Sequence, residues 1–72
     1  MPTFGERLKQ LRKERNITQK DLADYLGIAT NAYQRYEYDQ RDMNIQSLTA
    51  LADYFDVSVD YLIGRSDKPE RQ

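Results

Sequence analysis

The stretch Thr18–Glu37, TQKDLADYLGIATNAYQRYE, leaves this chain few folds to choose from. Its first half sets apolar residues at Leu22, Ala23 and Leu26, spaced i, i+1, i+4, one stripe of a short helix. Thr18 opens that helix, with a T-x-x-D capping pair to Asp21. Gly27 closes it in a tight turn, because glycine takes the left-handed backbone at a helix end without a Cβ penalty. A second helix follows at once, from about Ala29 or Thr30 to Tyr38. It carries Tyr33 and Tyr36 on one side and Thr30, Asn31, Gln34 and Arg35 on the rest of its surface. Ala29 is a poor N-cap, having no side-chain acceptor.

The flanks are helical as well. Thr3 and Glu6 have capping-box spacing, and Phe4, Leu8 and Leu11 then recur at i, i+4, i+7. Asn16 suits the left-handed position after that first helix. Residues 38–43, YDQRDM, show no apolar period and read as a loop. Asn44 caps a fourth helix with Ile45, Leu48, Leu51, Ala52 and Phe55, the strongest helical period in the chain. Ser58 caps a short fifth, carrying Val59, Leu62 and Ile63 and stopped by Gly64. No β-alternation or internal repeat is present. The expected fold is all-α: five short helices in one domain over residues 1–66. Residues 67–72 are a polar tail, read as flexible or as the start of a linker.

Seventy-two residues bury only a modest core. With no cysteine and no histidine, neither a disulfide nor a Cys/His zinc site braces it. No apolar run approaches the roughly 20 residues of a membrane span, and the start lacks a signal-peptide core. A soluble, cytoplasmic protein is the expectation. The net charge of −1 hides an asymmetry. Residues 1–36 carry seven basic and four acidic side chains, a net of +3; residues 37–72 carry four and eight, a net of −4. Such a domain can turn a positive edge to phosphate and keep an acidic back, although ordinary solvated helix faces give the same count.

An amphipathic helix, a glycine turn and a second helix rich in hydrogen-bonding side chains describe a helix-turn-helix reader of DNA. The wider pattern is more specific: T-Q-x-x-L-A-x-x-L-G-I, then A-Y-Q-R-Y-E, a loop with Arg41, and I-x-x-L-x-x-L-A-x-x-F-x-V-S-x-D-Y-L-I-G. Over about residues 4–66 it resembles the Cro/C1-type (XRE) helix-turn-helix family. The resemblance implies a five-helix lambda-repressor-like domain, acting as a homodimer on a pseudo-palindromic operator in double-stranded DNA. It implies a transcriptional regulator of a bacterial or phage gene, most often a repressor. On the matching positions, Thr30, Asn31, Gln34 and Arg35 would meet base edges. Gln19, Arg41 and Asn44 would meet the phosphate backbone. Arg12 and Glu37 would form an ion pair tying helix 1 to the end of helix 3. Three positions depart from the pattern: Asp39 stands where glycine is common, Met43 where proline is, and Ala29 where a serine cap is. Asp39 and Asp42 bring negative charge close to where phosphate would lie.

Arginine pairs with guanine O6 and N7, and asparagine with adenine N6 and N7, each pair worth roughly 1–3 kcal/mol of discrimination. Arg35 and Asn31 suit those roles, and Thr30 offers a methyl to thymine. The competing reading of all four is plain solvated polarity. Tyr36 fits the core; Tyr33 can bury its ring and still bring its hydroxyl towards phosphate; Tyr38, at the helix end, is a phosphate candidate. Met43, Tyr54, Tyr61 and Ile63 are candidates for an apolar partner edge, and the sequence leaves open whether they are interface or core. Asp53, Asp56 and Asp60 read as a hydrated acidic back. We find no catalytic constellation, and expect no enzyme activity, metal, cofactor, membrane partner or small-molecule ligand. Two other classes stay open: a protein-interaction module such as an antitoxin or anti-repressor partner, and an enzyme subunit or regulatory domain cut from a longer chain.

Overall fold

Side-chain caps start four of the five helices. In the computed structural model, which describes residues 2–71, α1 spans Phe4–Glu14, α2 Gln19–Leu26, α3 Thr30–Glu37, α4 Ile45–Phe55 and α5 Val59–Leu62. Met1 and Gln72, the outer limits of the two boundaries drawn above, lie outside the described residues. Thr3 and Thr18 each form a full capping box, with Glu6 and Asp21. Asn44 and Ser58 accept from Ser47 N and Tyr61 N. Ala29 makes no side-chain cap to α3.

The stops share one device. After each helix comes a residue with positive φ: Asn16, Gly27, Asp39, Asp56 and Gly64. The next N–H then reaches back to the carbonyl five residues earlier: Ile17 to Arg12, Ile28 to Ala23, Gln40 to Arg35, Val57 to Ala52 and Arg65 to Asp60. This closes orphan carbonyls at every helix end. Tyr38 and Ile63 are therefore cap residues just past their helices.

The buried centre joins Leu8 and Leu11 of α1, Leu22 and Ala23 of α2, Tyr33 of α3, Leu51, Ala52 and Phe55 of α4, Val57, and Leu62 of α5. Each such large side chain contributes roughly 1.5–3 kcal/mol on burial. Met43 and Tyr61 pack against this cluster. Tyr54 remains half exposed, its ring 4.7 Å from that of Tyr25. α1 packs on both α3 and α5. Gly5 makes the first contact possible: a Cβ there would overlap Glu37 O and lie 2.8 Å from Tyr36 O. The last described residues turn back on the fold, with Ser58 N donating to Pro69 O and Arg71 meeting Asp53 and Ala52 O. No helix among the described residues is long and apolar enough to cross a membrane.

Candidate nucleic-acid interface

Glu37 closes α3 with its negative charge at the helix end that least favours it. Its side chain is fully buried, so partners are obligatory. Arg12 supplies two: Nε donates to Oε2 at 2.6 Å and Nη2 to Oε1 at 3.3 Å. The Tyr33 hydroxyl donates to Oε2 at 2.5 Å, and Gln19 Nε2 donates to Oε1 at 3.2 Å. Gln34 Nε2 then donates to Gln19 Oε1 at 2.9 Å. One carboxylate thus ties α1, the start of α2 and both ends of the inner α3 face. Burial pushes the Glu37 carboxyl up, but the hydrogen bonds from Arg12, Tyr33 and Gln19 outweigh it and hold it below the ordinary range. Burial, with the bond to Glu37, pushes the Tyr33 phenol far above its usual range, so it stays a donor. The Arg12 guanidinium is raised by its hydrogen bond to Glu37.

This network settles which way α3 faces. Tyr33 and Glu37, four apart, point inward. Of the other four-apart pairs, Asn31 and Arg35 turn outward, while Thr30 with Gln34 and Ala32 with Tyr36 lie along the two sides. Asn31 and Arg35 are exposed; Thr30 and Gln34 are half-buried, the latter with its amide nitrogen committed to Gln19. Asn31 Oδ1 accepts from Ala32 N in the uncapped first turn. Among the described residues Arg35 takes no part in an ion pair. The suggestion that Tyr33 brings its hydroxyl towards phosphate fails: the residue is fully buried and its oxygen is spent on Glu37. Tyr36 is half-buried against the core, whereas Tyr38 is 58% exposed.

The remaining phosphate candidates flank this face. Gln19 opens α2 beside a concave strip lined also by Lys9, Lys13, Lys20 and Thr30. Lys20 is partly neutralised by Asp24 at 2.8 Å. Arg41 is exposed, its guanidinium 5.9 Å over the Tyr36 ring. Asn44 uses its side chain to cap α4, leaving its exposed edge at that helix's start. Asp53 and Asp56, on the acidic back, meet Arg71.

Two residues that shape this surface escaped the sequence reading. Asp39, whose charge the sequence sets close to phosphate, turns its carboxylate to α1 instead, accepting from Gly5 N at 2.9 Å and Thr3 Oγ1 at 2.6 Å. Arg7 is only 4% exposed; it stacks 3.7 Å over the Tyr61 ring and donates to Tyr61 O. Its place on the Phe4–Leu8–Leu11 stripe was the available signal, overlooked because arginine is rarely buried.

Comparison with known proteins bears on the family and the fold. The helix-turn-helix family model matches residues 8–62. The HTH-type transcriptional regulator YobD of Bacillus subtilis, itself described as uncharacterized, is 42% identical over 67 residues, 93% of this chain. The chain spans 60% of that relative's length. A transcriptional regulator from Listeria innocua superposes with a TM-score of 0.85 at 28% identity, over 97% of this chain and 65% of that one. The P22 c2 repressor, solved in complex with a synthetic operator, superposes at 0.81 with 29% identity, over 92% of this chain and the whole of that one.

Proposed function

This chain belongs to the Cro/C1-type helix-turn-helix family, and from that membership we propose that it reads double-stranded DNA by sequence, as a transcriptional repressor. The observation that carries the proposal is the division of α3. Its inner face is locked by Glu37, while Asn31 and Arg35 stand exposed on the outer face with Thr30 beside them. A helix so held can enter a major groove without reorganising. Arg35 then pairs with guanine, Asn31 with adenine, and Thr30 with a thymine methyl. Gln34 reads a base through the oxygen that its bond to Gln19 leaves free. Gln19, Tyr38, Arg41 and the start of α4 at Asn44 fix the register on phosphate. The P22 c2 repressor's operator complex supports this docking.

The domain measures 30 Å in its longest direction, and half-sites one helical turn apart lie about 34–36 Å from each other. One copy therefore covers one half-site, and the reading is of a homodimer on a pseudo-palindromic operator. It works in the cytoplasm, where bacterial and phage DNA lies, and its action is binding, with no chemistry of its own.

Selection of sites from a random duplex pool, with the purified chain, tests this. Enrichment of a two-fold site is the expected result. On that site Arg35→Ala relaxes preference at one base pair, losing about 1–3 kcal/mol there. Gln19→Ala weakens all sequences alike. No enrichment at low salt from a folded protein sinks the proposal and favours a protein partner.

A further inference from the structure

The loop that leaves α3 is attached to α1 at two levels. The Tyr36 and Glu37 carbonyls rest on Gly5, where no side chain intervenes. Just beyond, Asp39 adopts φ +57°, a region that glycine enters freely and aspartate at a cost. What aspartate supplies in return is its carboxylate. Oδ1 accepts from Gly5 N, a donor of the first turn of α1 with no partner inside the helix. Oδ2 accepts from Thr3 Oγ1, the same oxygen that caps Glu6 N. The negative charge also lies at the positive end of α1. Both oxygens are thereby engaged by α1, while Tyr38, Gln40 and Arg41 around them stay exposed.

We propose that Asp39 is a positioning residue: it tethers the Tyr38–Arg41 loop to the first turn of α1 so that Arg41 meets the DNA backbone in a fixed place. The inference rests on the DNA-reading proposal above. Position 39 also separates two physical outcomes of opposite sign. An aspartate that merely sits beside phosphate repels it, and its removal tightens binding. An aspartate that holds the loop weakens binding when removed, because only the fraction of molecules with the loop in place binds well.

The test uses the full chain and its selected duplex. Asp39→Gly keeps the left-handed backbone and deletes the tether. The variant stays folded, by thermal unfolding, and binds about tenfold more weakly if the placed fraction falls to about one in ten. Base preferences are unchanged. Phosphate-ethylation interference disappears only at the phosphates that Arg41→Ala also loses. The double variant D39G/R41A binds no more weakly than R41A alone, a non-additivity that a general loss of structure does not produce. Asp39→Asn, which tolerates the left-handed region and keeps an acceptor, shows the same coupling at smaller amplitude. Binding as tight as wild type or tighter, or a loss that adds in full to that of R41A, overturns the tether. A wild-type chain that selects no duplex overturns both readings at once, which sets that failure apart from failure of the tether alone.

Discussion

At the scale of the residue, Glu37 decides most. Four hydrogen bonds converge on one buried carboxylate, and each donor comes from a side chain with another structural task. Arg12→Met leaves that charge buried with its cation gone, which costs about 3 kcal/mol. Against a total stability of about 4–11 kcal/mol for a chain this size, that is a large fraction, visible as a lowered urea midpoint. The carboxyl is held below its ordinary unfolded value. Its contribution is therefore complete above that value and fades as pH falls through the lower, folded one. Stability titrated against pH thus drops on the acid side, and Glu37→Gln flattens that limb while lowering the neutral plateau.

At the scale of the element, what the sequence disclosed was local. Thr3, Thr18, Asn44 and Ser58 announced their helices because a cap acts within three residues. The polar face of α3 followed from its period, and the Arg12–Glu37 pair from family resemblance. The role of Asp39 was not legible, because its partners lie 34 and 36 residues away and no spacing rule links them. The return of Pro69 and Arg71 onto α4 and α5 was hidden for the same reason: a polar segment shows no period. Gly5 carries an element-scale prediction. In Gly5→Ala the new methyl meets backbone carbonyls of α3, which cannot rotate aside. Overpacking of this kind costs about 2–3 kcal/mol. The end of α3 must move, so DNA affinity falls together with the denaturation midpoint, although Gly5 lies on a different helix from the reading face.

At the scale of the whole molecule, the distribution of exposed charge matters more than the net charge. A net of −1 conceals a basic first half and an acidic second half. In the proposed complex the exposed cations Lys9, Lys13, Lys20, Arg35 and Arg41 meet phosphate and release counterions, so log K falls linearly with log salt. Arg41→Ala reduces that slope by about one per copy without altering sequence preference. Salt titrations of both proteins on one duplex give the comparison. A slope near zero for the wild type excludes a phosphate-anchored complex of the kind proposed.

The five left-handed stops have a bearing on how such a domain can be recombined. The backbone bonds of all five close within five residues, so that part of each turn travels with any segment cut around it. The stop after α3 is different, because its carboxylate borrows donors from the other end of the chain. A chimera that transplants Thr18–Glu37 with its following loop into a foreign frame will keep the reading face only if the host offers an arginine where Arg12 stands here, because Glu37 is buried against it. It will inherit the loop's placement only if the host offers a threonine and a glycine where Thr3 and Gly5 stand here. The smallest portable reading unit is thus discontinuous: two helices, one loop and the preceding α1, whose opening turn holds the loop and whose Arg12 holds Glu37.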